Sequence, residues 1–157
     1  MGVAGSGKTT VGTLLSGALG CGFVDADTLH STENVEKMRR GVPLTDADRA
    51  PWLEAIHARI QAAFSSGEDL VIACSALKER SRQTLAGNVP IRWVYLKGSP
   101  ELIRARLLRR FDHFAKDNLL ASQLDALEEP ADAFVVDITP APEVIVKTIV
   151  TWLARYP

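Results

Sequence analysis

Residues 1–10, "MGVAGSGKTT", constrain this chain more than any other stretch, because Gly2, Gly7, Lys8 and Thr9 satisfy every position of the G-x-x-x-x-G-K-[ST] pattern. Glycines let the backbone N–H groups of such a loop turn inward on an anion. The helix amino terminus behind the loop adds a partial positive charge. A loop built from Gly2, Ala4, Gly5, Ser6, Gly7, Lys8, Thr9 and Thr10 therefore predicts the phosphates of ATP or GTP as ligand. Lys8 is expected to reach the β and γ phosphates and the Thr9 hydroxyl to hold Mg²⁺.

The rest of the chain changes hydrophobic period repeatedly, as alternating strands and helices do. "KTTVGTLLSGALG" reads as a helix ended by Gly20 or Gly22, "CGFVDAD" as a strand, and "TLHSTENVEKMRRG" as a helix capped by Ser31 or Thr32. Thr45 or Asp46 opens a longer helix to about Phe64, and "DLVIACSA" is the continuous apolar run of a strand buried on both faces. "LKERSRQTLAG", "IRWVYLKG", "SPELIRARLLRR", "DNLLASQLDAL", "AFVVDIT" and "APEVIVKTIVTWLARY" continue the alternation. The expected fold is α/β, a parallel sheet with helices on both faces and four visible strands.

With 157 residues the chain is one domain, and its net charge of −1 gives no reason to expect nucleic acid or an anionic membrane as partner. Any attraction for an anionic ligand must come from locally placed Lys and Arg. Cys21 and Cys74 lie far apart without metal-ligand neighbours, which suits small buried side chains in a reducing, cytoplasmic setting. No apolar run reaches the ~20 residues of a membrane span.

In parallel sheets ligands bind at the carboxyl ends of strands, which draws attention to Asp25 and Asp27 in "VDAD". If the strand continued through them, both would point to one side, Asp25 toward hydrated Mg²⁺ and Asp27 toward a substrate hydroxyl. A carboxylate there can orient the hydroxyl and accept its proton as a phosphoryl group transfers. A strand-ending turn, where Asp is common, is the competing explanation.

"GVAGSGKTT", "DADTLH", "NVEKMRRGVPLTDADRAPWL", "CSALKERSR", "VYLKG", "HF" and "SQLDALEEP", in this order, resemble the gluconokinase family along nearly the whole chain. That family comprises ATP-dependent kinases acting on the 6-hydroxyl of D-gluconate. The resemblance implies the fold of shikimate and nucleoside monophosphate kinases, with a substrate-binding helical region at about 28–66 and a lid at about 104–126. It implies Asp27 as catalytic base with His30 beside it, and Lys37 and Arg49 in the substrate region. Arg49 suits a carboxylate best, because its planar fork can bind two oxygens.

Ser75 follows a buried strand and opens into the same crevice, with Lys78 as a further donor or an exposed helix lysine. Arg106, Arg109 and Arg110 share a helical face in a segment that also holds Arg104. In the lid, arginines such as Arg106 and Arg109 would neutralise charge on the transferred phosphoryl group. By similarity His113 and Gln123 face substrate, and "VDITPAP" lies against adenine. His57 is expected on a helix surface, and Trp52, Trp93 and Trp152 in packing. Kinases of another hydroxy acid such as shikimate, or a nucleotide-binding protein with little turnover, are the alternatives, and a homodimer is compatible with all of them.

Two features depart from the family's pattern. The strand that normally feeds the phosphate loop is missing from the sequence, so Met1 is expected to be an internal methionine of a longer chain. The alternative is a sheet that rearranges or pairs between chains. At Phe111-Asp112 the family commonly has Lys-Gly or Glu-Gly before its His-Phe pair, so this lid lacks a glycine pivot and carries a carboxylate near incoming phosphates. Asp112→Gly is accordingly expected to raise the catalytic rate in a coupled assay, and an unchanged or lower rate would contradict that account.

Overall fold

The computed structural model describes residues 1–109 and 114–155. The phosphate loop runs into helix α1 (Lys8–Leu19), which ends where Gly20 takes a left-handed φ of 68°. Strand β1 (Gly22–Asp25) is followed by a 3-10 turn (Ala26–Leu29), α2 (Thr32–Arg39) and α3 (Asp46–Ser66). Then come β2 (Leu70–Ala73), α4 (Glu79–Ala86), β3 (Val94–Lys97), α5 (Pro100–Leu108), α6 (Phe114–Asp125), β4 (Phe134–Asp137) and α7 (Pro142–Leu153). The four strands and their helical connections are those the periodicity predicts.

Local chemistry sets the helix starts. The Ser31 hydroxyl accepts the Asn34 amide at 3.2 Å. Thr45 and Asp48 form a reciprocal capping box, and the Ser99 hydroxyl accepts the Leu102 amide with Pro100 in the first helical turn.

The strands pair in parallel, as expected, in two separate pairs. β1 pairs in parallel with β2, from Gly22 opposite Leu70 to Asp25 opposite Ala73, and β3 pairs in parallel with β4, from Val94 opposite Phe134 to Lys97 opposite Asp137. The pairs are not laddered to each other. Between them lie Met1 and Gly2: the Met1 amino group donates to the Val94 carbonyl at 2.6 Å, the Leu96 amide to Met1 at 3.0 Å, and the Gly2 amide to Ser75 at 3.2 Å. Two residues carry too few backbone groups for a ladder, yet they tie the phosphate loop to both pairs.

Two buried clusters flank this framework. One joins Val3, Val11 and Leu15 to Leu96, Ile103, Leu107, Val136, Ile138, Ile145 and Ile149, so that α1, α5 and α7 share a core. The other joins Ala26, Trp52, Ile56, Cys74, Ala76 and Leu85, packing α3 and α4 against the ends of β1 and β2. His57, expected on a helix surface, instead belongs to the α3–α4 contact. Its Nδ1–H donates to the Leu85 carbonyl at 2.9 Å, and a Cβ on Gly87 would meet its ring at 2.6 Å. Among the described residues no helix is long and apolar enough to cross a membrane.

Candidate active site

The phosphate loop adopts backbone angles that side chains resist: φ is 146° at Gly2, 80° at Gly5 and 92° at Gly7. A Cβ on Gly2 would stand 2.9 Å from both the Leu96 carbonyl and the Ser6 hydroxyl, and one on Gly5 would stand 2.8 Å from Leu107. Gly7 is the amino-terminal cap of α1 and has no side chain to offer its first amides, so these remain available to an anion. The Lys8 ammonium donates to the Val3 carbonyl at 3.0 Å. Burial pushes the Lys8 pKa down, and the nearby Asp27, Cys74 and Asp25 pull it back up. A phosphate arriving beside a partly desolvated lysine would relieve that penalty.

Asp25 connects this loop to the acidic turn. Its Oδ2 accepts the Thr9 hydroxyl at 2.8 Å, and its Oδ1 accepts the Asp27 amide at 3.1 Å. Here the expected strand geometry is corrected. β1 stops at Asp25, and Asp27 stands in the 3-10 turn that Asp25 caps. Turn geometry rather than strand alternation brings both carboxylates to the loop, because the Asp25 side chain competes with sheet pairing for the local amide.

His30 follows that turn and stacks on Trp52, with ring centroids 4.4 Å apart and planes 8° from parallel. Burial holds its pKa below the ordinary imidazole value, with Asp27 raising it and Arg49 lowering it. The cations of the substrate region are engaged with carboxylates. Lys37 donates to Asp48 at 2.6 Å, tying α2 to α3, while Arg49 and Lys78 approach the same Asp46 oxygen at 3.4 Å and 3.9 Å. Lys37 is thus fastened between helices, whereas Arg49 and Lys78 meet at one exposed carboxylate. The Lys37 partner and the Thr45 cap hold Asp48 down to about 2, so this ion pair contributes at neutral pH and is lost as pH falls through that value.

On the other side of the loop lies a cleft of about 290 Å³ lined by Gly5, Ser6, Gly7, Thr10, Val11, Arg106, Arg109, Pro142 and Ile145. It has the mixed apolar and cationic lining that a nucleotide needs. Arg106 is steered into it by donating to the Ile138 carbonyl at 2.6 Å. Gln123, expected at the substrate, uses its carbonyl oxygen on the phosphate loop instead, accepting the Ala4 amide at 2.6 Å. Ser75 contributes its backbone carbonyl to Gly2 at the loop's entrance. His113, Arg110 and the Phe111-Asp112 pair lie outside the described residues.

Residues 1–130 match the AAA domain family. The chain is 41% identical to the gluconokinase of Arabidopsis thaliana, covering 99% of its own length and 90% of that protein's. It is 48% identical to the gluconokinase of Gluconobacter oxydans over 84% of its own length and 75% of that protein's. The crystal structure of a gluconokinase from Sinorhizobium meliloti superposes with a TM-score of 0.87 at 41% identity, over 99% of this chain and 89% of that one. The chain belongs to the gluconokinase family. Its fold is that of the P-loop kinases, and it is a kinase.

Within this gluconokinase fold, Arg82 supports the site through contacts that no local sequence pattern reveals. It is 7% exposed, and its guanidinium donates to the Ala76 and Leu77 carbonyls at 3.0 Å and 3.1 Å. Ala76 holds a φ of 45°, a strained value for a residue with a side chain. Arg82 therefore clamps the turn that carries Ser75 and Lys78. Glu128 supports the same turn by donating its amide to the Leu77 carbonyl and accepting the Glu79 amide at 2.6 Å. Arg82→Met keeps most of the volume but strands two carbonyls. It is expected to cost about 2–3 kcal/mol in urea denaturation, the scale of hydrogen bonds to a charged group. Unchanged stability would remove the clamp from the account.

Proposed function

We propose that this gluconokinase-family chain transfers the γ-phosphoryl group of ATP to the 6-hydroxyl of D-gluconate, giving 6-phospho-D-gluconate. The observation that carries the proposal is the Asp25 carboxylate joined at once to Thr9 of the phosphate loop and to the Asp27 amide. A hydroxyl resting against Asp27 would thereby face phosphates held on the loop and α1. Asp27 would orient that hydroxyl and take its proton as the O–P bond forms, while the bond from the γ phosphorus to the β–γ bridging oxygen breaks and ADP leaves.

The base and ribose would occupy the cleft beside Pro142 and Ile145, with Arg106 and Arg109 on the phosphate side. Both arginines would neutralise charge that develops during transfer. Thr9 Oγ1 and Asp25 Oδ2, 2.8 Å apart, are hard oxygen donors of the kind Mg²⁺ accepts together with phosphate oxygens and water. Bound there, the ion would supply neutralisation of the negative charge on the β and γ phosphates. Arg49 and Lys78 converge from α3 and from the start of α4 on the carboxylate of Asp46. The same pair would take the substrate carboxylate, at little cost, because exposed ion pairs contribute only ~0–1 kcal/mol.

Purified protein with MgATP and a panel of sugar acids tests this directly. ADP release is expected to depend on gluconate and to fall by about 10²-fold or more in Asp27→Asn, the scale of a lost general base. ATP binding without acceptor-dependent release would contradict the proposal.

A further inference from the structure

Trp52 lies in α3, 7% exposed, and touches the acidic turn in two ways. Its indole N–H donates to the Ala26 carbonyl at 2.7 Å, and its face lies flat against the His30 imidazole. Ala26 is itself fully buried between Asp25 and Asp27. One rigid side chain, anchored in a core with Ile56, Cys74 and Leu85, therefore fixes both the peptide between the two carboxylates and the ring plane of the histidine. The His30 Nδ1 atom is buried and has no hydrogen-bond partner among the described residues. A buried, unpaired ring nitrogen is costly unless something polar meets it.

We propose that Trp52 is a positioning residue for phosphoryl transfer: it sets Asp27 through the Ala26 carbonyl and holds His30 so that Nδ1 meets a hydroxyl of the acceptor's polyol chain. This rests on the assignment of a sugar-acid acceptor made above. The two contacts have separable roles. The N–H bond governs how the catalytic carboxylate is presented, because a turn freed by a fraction of an ångström no longer holds a near-attack geometry. The stack governs acceptor binding, because the imidazole must keep its plane for Nδ1 to reach a hydroxyl, as donor or as acceptor. ATP binding, on the far side of the loop, should sense neither contact.

The test uses the whole chain with two substitutions. Trp52→Phe keeps an aromatic face for His30 and removes the N–H, so kcat should fall about tenfold while the KM values for gluconate and ATP stay within about twofold. Trp52→Leu removes both contacts, so the gluconate KM should also rise about tenfold with the ATP KM still unchanged. NMR titration of the His30 ring gives a readout that needs no activity. Asp27 on the turn and Arg49 on α3 face the imidazole in every variant, so losing the indole should let the His30 pKa rise toward its ordinary value in Trp52→Leu. Folded variants with unchanged kinetics, or gluconate and ATP parameters that deteriorate together, would overturn the proposal. If the unsubstituted protein shows no gluconate-dependent turnover, the functional assignment fails by itself. The His30 titration then decides the positioning claim, and an unshifted value in Trp52→Leu overturns it.

Discussion

The Asp25 carboxylate is the contact on which the rest of the site depends. One of its oxygens accepts the hydroxyl that follows the phosphate-loop lysine, and the other accepts the amide of Asp27. In the proposed reaction phosphate binding and proton acceptance fall to different segments, and a single side chain would keep them in register. A carboxylate can do this because it carries lone pairs enough for two donors and further capacity toward a cation. Asparagine at this position could accept both bonds but would lack the negative charge that favours the proposed divalent ion.

Around that contact the molecule uses its two cores for two purposes. The cluster shared by α1, α5 and α7 supports the phosphate loop, where Leu107 and Ile103 press against Gly5 and leave no room for a side chain. The cluster of Trp52, Ile56, Cys74 and Leu85 backs the Asp25–Asp27 turn and the Ser75–Leu77 turn. Buried polar groups occur where these cores meet the crevice. Arg82 is satisfied by two carbonyls, while Lys8 rests on the loop's own Val3 carbonyl. The first arrangement is rigid support, and the second leaves a cation that can exchange its partner for phosphate.

Much of this was legible in the sequence because the responsible signals are local. The phosphate loop, the caps at Ser31, Thr45 and Ser99, and the short apolar strands each depend on a few neighbouring residues. What was not legible depends on tertiary contact. Asp25 and Asp27 looked like alternating strand positions, but the Asp25 side chain ends the strand by capping the next turn. Trp52 looked like packing because an indole's hydrogen bond to a backbone carbonyl 26 residues away leaves no trace in periodicity. Gln123 was matched by similarity to the acceptor, yet its carbonyl oxygen reaches the Ala4 amide across 119 residues of sequence. Nor is it visible in sequence that Met1 and Gly2 join the two strand pairs through three backbone bonds rather than a ladder.

In the proposed reaction the Asp25-linked loop and turn act as one centre that moves a phosphoryl group from ATP to a sugar acid. Phosphorus-31 NMR of the protein with MgATP and D-gluconate tests it most directly. ADP and a phosphomonoester on the C6 oxygen of gluconate are expected to appear in equal amounts. ATP left intact, or hydrolysed to inorganic phosphate with no sugar phosphate formed, would contradict it.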